Sequence, residues 1–381
     1  MNICFYVKAH DQIKGGIERL VSRLGNHLST KHNITLIIDS EKWEKFPYSL
    51  SEKIFVVKLP FRSDYFFIKN LRSIIIAREI DIVVVMRTGG NPIQIFAAAM
   101  RDLRCKLVLS EHCAPEFAER EYPQNSRNLA IKCADYVHLL QDEFIKSIPE
   151  YIHNRVRVIG NFVDIDLKNI PGHKERKNHI VMIGRLTKTQ KRPFLLLEAF
   201  SNLKEINETL FNRWTLFFCG DGPEKSLIDK FIKEKKLSNV KLLGQVENVI
   251  PVLLESKFFC LPSAYEGQSI ALLEAMRCGS IPIVCDDAPG NVSMIKPGET
   301  GYIVNRNNFS RDLANLLESD LNDQISQNTL QEALKFTPEL ILGKWVEFFN
   351  DIKKTPFSYR ESHLFSRKKA MEILINKEIF I

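Results

Sequence analysis

Two loops beyond residue 180 of this 381-residue chain carry charged side chains at spacings that could bind a diphosphate. In the first loop, GRLTKTQKRP, Arg185 and Lys191 follow a strand-like run. Arginine presents a planar fork of N–H donors and lysine a compact positive charge, so the pair can bind phosphate oxygens together. We predict this role for Arg185 and Lys191, whereas Lys188 and Arg192 fit a solvated basic loop.

The second loop lies in LPSAYEGQSIALLEAMRCG, where a strand ends, Glu266 follows in the loop and a helix begins. The backbone N–H groups of Gln268, Ser269 and Ile270 open that helix, and unpaired N–H groups at a helix start attract anions. Glu274 lies farther along the same helix. The turn therefore predicts a phosphate site with a carboxylate at each end. The alternative is that Glu274 only pairs with the arginine three residues later.

A third loop, AHDQIKGGIERL, places Gly15 and Gly16 just before a helix. Glycine permits close approach of the backbone to an anion, although an ordinary flexible turn explains the pair as well. The G-x-G-x-x-G fingerprint of dinucleotide-binding proteins is absent, even though Asp39 ends the second strand, where a ribose-binding acid would lie. A dehydrogenase is therefore a poor interpretation. The segment CGDGPE, residues 219–224, predicts a tight structural turn.

The elements that position these loops alternate between strand and helix. Amphipathic stretches at 17–29, 66–79, 192–204 and 225–235 predict helices. Between them, short runs rich in β-branched and aromatic residues predict buried parallel strands: ICFYV, ITLII, KIFVV, DIVVVM, KLVLS, HIVMIG, WTLFFCG, KLLG, KFFCLP and IPIVC. The expected fold class is α/β, with two Rossmann-like doubly wound domains that face each other. Ligands of such sheets bind at the carboxyl ends of the strands.

The pattern also predicts where the domains divide. A polar segment with Pro, Gly and several charges, residues 166–178, looks like a linker. We therefore expect an N-terminal domain at 1–168, a second domain at 169–345 and C-terminal helices at 346–381.

Composition excludes several classes of protein. Apolar residues at 45% and charged residues at 26% are ordinary globular values, which excludes disorder and collagen. The first residues lack a signal-peptide pattern, and the eight cysteines show no zinc or disulfide spacing, so we expect a cytoplasmic protein. The net charge of +7 is too dispersed for a nucleic-acid partner, being +4 over 1–168, zero over 169–350 and +3 over 351–381.

The segments GGIER, SEH, NFVD, GRL with its following lysine, GDGPE and YEGQSIALLEA, in this order, resemble the retaining GT-B glycosyltransferases of family four. That family uses sugar nucleotides to build bacterial glycolipids and polysaccharides such as lipopolysaccharide and capsule. The resemblance covers residues 1 to about 350, and its most specific piece is Glu266-x7-Glu274. It implies an N-terminal acceptor-side domain and a C-terminal nucleotide-sugar-binding domain across a cleft, with a C-terminal helix that crosses back to the first domain.

The resemblance also implies roles for individual residues. Gly15 and Gly16 would approach the donor phosphates, and Arg185 with Lys191 would bind the diphosphate. One extra residue precedes Lys191, which makes Lys188 a rival, but the following PFLLLEAF keeps the family spacing after Lys191.

In the second loop, Glu266 resembles the carboxylate that contacts hydroxyls of the donor sugar, and Glu274 the one that binds the ribose. His112, in SEHC, resembles a cleft histidine near the reacting sugar, a role that rests on the resemblance alone. Gln268 and Ser269 replace the Phe/Pro-type residues usual after E-G, which bears on the contacts to the donor sugar.

We expect the reaction to need no metal and no cofactor. Asp164 and Asp166 mimic the D-x-D metal motif of another glycosyltransferase fold, yet they lie at the linker, away from the strand exits. Arg185, Lys191 and the helix start could stabilise the charge on a departing phosphate by themselves.

The function predicted from the sequence is retaining transfer of a hexose-type sugar from a nucleotide-sugar donor, with a UDP-sugar favoured, to a glycan or lipid-linked acceptor. The alternatives are a sugar-nucleotide epimerase on the same fold and a non-catalytic scaffold for another transferase. An epimerase would need no acceptor, and a scaffold would be expected to have lost Glu266 or Glu274.

A membrane hypothesis follows from the segment RSDYFFIKNLRSIIIAR, residues 62–78, and the basic tail. Polybasic segments bind anionic leaflets, and exposed Phe66 or Phe67 could enter the headgroups. We therefore expect peripheral association with the inner face of the cytoplasmic membrane. The alternative is that this helix buries Phe67, Leu71, Ile74 and Ile75 in the domain core.

Overall fold

A computed structural model describes residues 1–8, 15–40, 46–61, 63–86, 92–117, 126–319 and 323–356. The chain divides into two compact units. Unit 1 comprises residues 1–161 and 341–381, and unit 2 comprises residues 162–340. Within the described residues, no helix has the length and apolar character needed to cross a membrane.

The described residues contain thirteen strands: β1 (Asn2–Lys8), β2 (Asn33–Asp39), β3 (Ile54–Lys58), β4 (Ile82–Met86), β5 (Lys106–Ser110), β6 (Tyr136–Leu139), β7 (Val156–Val158), β8 (Lys177–Ile183), β9 (Thr215–Cys219), β10 (Val240–Gly244), β11 (Ser256–Leu261), β12 (Ile281–Cys285) and β13 (Tyr302–Val304).

Thirteen α-helices accompany them in the same residues: α1 (Gly16–Leu28), α2 (Asp64–Ala77), α3 (Pro92–Ala99), α4 (Ser126–Cys133), α5 (Pro193–Ile206), α6 (Glu208–Arg213), α7 (Lys225–Glu234), α8 (Ile250–Glu255), α9 (Ile270–Arg277), α10 (Pro289–Val292), α11 (Phe309–Glu318), α12 (Asp323–Ala333) and α13 (Pro338–Lys354).

Unit 1 is built on a seven-stranded parallel sheet in the order β3-β2-β1-β4-β5-β6-β7. Strands β1 and β4 are buried almost throughout, as expected for a parallel sheet covered on both faces. The C-terminal helix α13 belongs largely to this unit, and its Trp345, Phe348 and Phe349 are buried. Phe349 contacts Phe5 of β1 edge-to-face at 6.3 Å between ring centroids.

Unit 2 contains a six-stranded parallel sheet in the order β10-β9-β8-β11-β12-β13. Both sheets reverse their strand order beside their first strand, which is the doubly wound topology. In unit 2 the reversal makes β8 and β11 direct neighbours, although Val181 and Phe259, which pair in register, are far apart in sequence. The exit loops of β8 and β11 are thereby brought to one point.

All ten predicted strands are present, and the α/β fold class is confirmed. Three strands were missed, namely β6, β7 and β13. They contain only three or four residues each, and β6 and β7 include a histidine and an arginine, so the apolar run that identifies a buried strand is interrupted.

Candidate active site

The exit loop of β8 carries both predicted diphosphate-binding residues. Gly184 directly follows the strand with φ +147°, a conformation that favours glycine. A Cβ at Gly184 would lie 3.2 Å from Cε of Lys191, so the lysine side chain lies directly over this glycine. Arg185 is exposed to solvent, and so is Lys188. The loop backbone thus places Lys191 against the end of β8 and leaves Lys188 exposed to solvent.

Lys191 forms an ion pair with Glu266 of the β11 exit loop, with Nζ 2.5 Å from Oε1. Both side chains are nearly buried, at 13% and 10% exposure. The two predicted site residues are far apart in sequence, and the β8–β11 neighbourhood brings them together. Removal from water strengthens the interaction between opposite charges and raises the cost of losing either partner.

The next helix, α9, begins beside this pair. Ser269 is its N-cap, and its hydroxyl accepts a hydrogen bond from the backbone N–H of Leu272 at 3.4 Å. Gln268 and Ser269 are buried, and Ile270 and Glu274 are half-buried. Helix α9 begins at Ile270, so of the three predicted N–H donors Gln268 and Ser269 precede the helix and Ile270 is its first residue. Its first turn and the Lys191–Glu266 pair therefore belong to one strand-exit cluster in unit 2.

Arg192 was expected to be solvated, and this expectation is wrong. Its guanidinium donates to the carbonyl oxygens of Pro262 and Ser263 at 2.8 and 2.9 Å and forms a bidentate pair with Asp287. The side chain is 10% exposed. Arg192 therefore links the exit loops of β8, β11 and β12, and holds in place the backbone that precedes Glu266.

Two glycines allow backbone segments to pack closely around this cluster. A Cβ at Gly220, which follows β9, would lie 1.9 Å from the carbonyl oxygen of Gly184. A Cβ at Gly290, in α10, would lie 2.2 Å from the carbonyl oxygens of both Glu266 and Gly267. No side chain larger than hydrogen fits at either point without movement of the loops.

In unit 1, Gly15 is the N-cap of α1 and Gly16 is its first residue. Burial raises the pKa of the Glu18 carboxyl, while hydrogen bonds from the backbone N–H groups of Glu18 and Gly15 oppose the increase. The carboxyl group of Glu18 therefore lies at the helix start, where the sequence predicted a donor phosphate. Asp39 accepts hydrogen bonds from the Tyr6 hydroxyl and the Phe61 N–H, each at 2.8 Å, which is a structural role.

His112 lies just after β5, half-buried. Its Nε2 is 2.9 Å from the hydroxyl of Ser110, and that hydroxyl is 2.8 Å from Nδ1 of His138 in β6. Burial, and to a smaller extent nearby His138, lower the pKa of His112 to about 3, and burial lowers the pKa of His138 to about 4. Both imidazoles are therefore neutral at physiological pH.

The residue between Ser110 and His112 is held equally firmly. Glu111 is buried and pairs with buried Arg127 through two hydrogen bonds of 3.0 and 2.8 Å, and Arg127 also donates to the carbonyl oxygen of Ser147. Sequence reasoning missed Arg127 and His138. The available signal for His138 was a polar residue inside the otherwise apolar strand YVHL.

Among the described residues, the one group of side chains able to hold a metal is Cys285, Asp286 and Asp287. Burial raises the pKa of the Cys285 thiol to about 12, which disfavours the thiolate that a metal would need. Asp287 is paired with Arg192, and Asp286 accepts from Asn305 at 2.7 Å. These partners give the two carboxylates structural roles.

Two family models match the chain over adjacent ranges. The model described as "Glycosyltransferase Family 4" matches residues 14–167, and the one described as "Glycosyl transferases group 1" matches residues 164–335. Together they span most of both units, including every predicted site residue.

Named relatives agree with these matches. The chain is 24% identical over 353 residues to the amylovoran biosynthesis glycosyltransferase AmsD of Erwinia amylovora, covering 88% of this chain and 96% of that protein. It is 26% identical to a Campylobacter jejuni N-acetylgalactosaminyltransferase named for a diphospho-undecaprenol-linked acceptor, covering 80% and 88%.

The fold has a solved counterpart in Anabaena HepE in complex with UDP-glucose. That structure matches with a TM-score of 0.71 at 17% identity, covering 92% of this chain and 100% of HepE. The sheet topology and the matched families fit a glycosyltransferase, and they favour neither the epimerase nor the scaffold. The chain belongs to the GT-B glycosyltransferases of family four and is an enzyme of polysaccharide or glycolipid synthesis.

Proposed function

We propose that this enzyme transfers a hexose-type sugar from a UDP-sugar to a glycan or lipid-linked acceptor with retention of anomeric configuration. The observation that carries the proposal is the Lys191–Glu266 pair beside the start of α9. It combines a cation and helix N–H groups for a diphosphate with a carboxylate for sugar hydroxyls. HepE with bound UDP-glucose supports the choice of donor, and the Campylobacter relative supports a lipid-linked acceptor.

In this reaction the bond from the anomeric carbon to the diphosphate oxygen breaks, and its electron pair leaves with the nucleoside diphosphate. The acceptor hydroxyl oxygen forms the new bond, and its proton is released with the products. Lys191, exposed Arg185 and the N–H groups at Gln268–Ile270 stabilise the developing negative charge. Glu266 binds hydroxyls of the donor sugar, and Glu274 binds the ribose. In unit 1, Gly15 and Gly16 approach the donor phosphates, and His112 lies near the reacting sugar.

A thermal-shift screen followed by product analysis tests this assignment. At 100 times its dissociation constant, the correct donor should stabilise the chain by about 2.7 kcal/mol. Glu274→Gln should lose most of this shift, whereas Glu198→Gln, on the outer helix α5, should keep it. Stabilisation by a different nucleotide sugar alone would overturn the UDP assignment. NMR of the product that shows the opposite anomer from the donor would overturn retention.

We further propose that transfer needs no divalent metal, because side chains and N–H groups of this chain supply the positive charge at the diphosphate. Turnover should therefore be unchanged after treatment with EDTA. Loss of activity on chelation, restored by magnesium or manganese, would contradict the proposal. The variants Asp164→Asn and Asp166→Asn should be as active as the wild-type enzyme, because both residues lie in the coil between β7 and β8.

The enzyme is also proposed to associate with the cytoplasmic leaflet through unit 1. In α2, Phe67, Leu71 and Ile75 are buried, whereas Tyr65 and Phe66 at its first turn are 65% and 41% exposed. Two exposed aromatic rings in adjacent positions suit the headgroup region.

In the structure, fewer basic side chains support the membrane hypothesis than the sequence indicated. In the segment 62–78, Arg72 is paired with Asp102 at 2.6 Å, and the Arg78 guanidinium lies 4.2 Å above the ring of Phe55. Arg62 and the tail beyond residue 356 lie outside the described residues. The exposed aromatics of α2 and the exposed Lys69 of the same helix therefore carry the membrane proposal.

A further inference from the structure

Three hydrogen bonds connect His112 to the backbone of unit 1 through buried groups. His112 Nε2 lies 2.9 Å from the Ser110 hydroxyl oxygen, which lies 2.8 Å from His138 Nδ1, and His138 Nε2 lies 2.7 Å from the carbonyl oxygen of Ile159. Ser110 and His138 are fully buried, and they are paired in register on the adjacent strands β5 and β6. We call this set the Ser110–His138 relay.

The direction of every proton in the relay follows from its far end. A carbonyl oxygen only accepts hydrogen bonds, so His138 Nε2 must carry the hydrogen. In a neutral imidazole the other nitrogen is then an acceptor, so Nδ1 of His138 accepts from the Ser110 hydroxyl. The hydroxyl has one hydrogen, so its oxygen must accept from His112. His112 therefore carries its hydrogen on Nε2.

Neutrality of both rings is required for this assignment, and the environment supplies it. The two rings lie 5.7 Å apart between centroids, so a charge on one would oppose a charge on the other. Burial lowers the pKa of both imidazoles far below neutrality.

We propose that Ser110 and His138 are positioning residues that hold His112 as the neutral Nε2–H tautomer, with Nδ1 as its hydrogen-bond acceptor. This inference rests on the proposed role of His112 in sugar transfer and deepens it. An acceptor nitrogen is suited to a sugar hydroxyl, which donates, and not to a phosphate oxygen, which accepts. The fixed tautomer therefore suits the proposed place of His112 beside the reacting sugar.

The C-terminal helix completes the support of the relay. The ring of His138 lies 4.4 Å from that of Trp345 in α13, between centroids, and Trp345 is fully buried. The Trp345 ring packs in turn against Phe348 and Phe349 at 6.0 and 5.6 Å. The return of α13 to unit 1 thereby fixes the position of the His138 ring, to which Ser110 is hydrogen-bonded.

The first test reads the tautomers directly, without substrate. Long-range ¹H–¹⁵N spectra of the ¹⁵N-histidine-labelled protein at pH 7 distinguish a protonated ring nitrogen from a bare one. Spectra of His112→Gln and His138→Gln identify the two rings among the nine histidines. We expect the Nε2–H form for both in the wild type, and a mixture of tautomers for His112 in Ser110→Ala. A hydrogen on Nδ1 of either ring in the wild type would overturn the relay.

The second test measures turnover with the UDP-sugar that gives the largest thermal shift. Ser110→Ala should lower kcat by up to about 100-fold through misplacement of His112, with a smaller change in KM. Ser110→Thr retains a hydroxyl and should recover most of the loss. Ser22→Ala is the matched control, because its buried hydroxyl donates to the Ser49 carbonyl oxygen in the same unit. An unchanged kcat in Ser110→Ala would overturn the positioning role.

The two tests separate this inference from the proposed function. If the tautomers are as expected but His112→Ala transfers sugar at the normal rate, the role of His112 in transfer is wrong, and the positioning role falls with it. If His112→Ala is inactive but the hydrogen of His112 lies on Nδ1, the proposed function stands and the relay is overturned.

Discussion

At the scale of single residues, burial and pairing distinguish between side chains that the sequence left equivalent. Lys188 and Lys191 lie in one loop, and family spacing alone favoured Lys191. In the structure, Lys191 lies over Gly184 and pairs with Glu266, whereas Lys188 faces solvent. A cation held in a nearly dry position interacts more strongly with a phosphate than one in bulk water. The geometry therefore supports Lys191 as the diphosphate ligand.

Lys191→Ala should lower kcat/KM by roughly 10²–10³, the usual effect of removing one preorganised charged donor. Lys188→Ala is the matched control and should be close to wild type. Because Lys191→Ala also leaves the nearly buried Glu266 carboxylate without its cation, thermal unfolding must be measured in parallel. The double variant Lys191→Ala/Glu266→Gln removes that unpaired charge. Normal transfer by Lys191→Ala with inactive Lys188→Ala would show that Lys188 is the ligand.

At the scale of elements, the active-site loops depend on close approach of backbone to backbone. The turn after β9 packs on the turn after β8, and Gly220 and Gly222 make the contact. Gly220 has φ +150°, and a Cβ at Gly222 would lie 2.5 Å from the carbonyl oxygen of Leu186. The sequence suggested a structural turn here, and the structure shows that it supports Gly184 and the loop that carries Lys191.

Gly220→Ala should therefore destabilise unit 2 by roughly 1–3 kcal/mol, a typical cost for backbone strain of this kind. It should also weaken donor binding, because the Gly184 carbonyl must move. Gly343→Ala is the control, since its Cβ would meet nothing within 4 Å inside α13. Alanine there should stabilise the helix by up to about 1 kcal/mol. Equal melting temperatures for Gly220→Ala and wild type would contradict the close packing of the two turns.

At the scale of the whole molecule, the first and last described segments of the chain belong to the same unit. Strand β1 lies inside the sheet of unit 1, between β2 and β4, and α13 buries three aromatic side chains in the same unit. Unit 1 also presents the exposed aromatic side chains Tyr65 and Phe66 at its surface. The unit that holds His112 is thus also the one proposed to contact the membrane.

Liposome flotation of the full chain tests that contact. Binding should need anionic lipid and weaken at high salt, because charged contacts are screened. Tyr65→Ser/Phe66→Ser should reduce the floating fraction. Tyr151→Ser, which removes a ring with 62% exposure elsewhere in unit 1, should not. Equal recovery in the soluble fraction with anionic and neutral vesicles at low salt would leave a soluble acceptor as the better explanation.

The sequence by itself determined most of the strands and the content of each loop. Strand runs such as DIVVVM and helix starts such as the one after Gln268 depend on local apolar period and capping, which neighbouring residues supply. The members of one motif, such as Glu266 and Glu274, are likewise close because a single turn and helix join them. Family resemblance then assigned chemistry to these local groups.

The tertiary structure alone decided which loops meet. The Lys191–Glu266 pair, the Arg192–Asp287 pair and the relay from His112 to His138 all join different strands or their exit loops. Their contact depends on strand order and register, which are set by packing of the whole sheet and leave no local pattern in the sequence. For the same reason, the sequence did not predict the contact between the ring of Trp345 in the last described helix and the ring of His138.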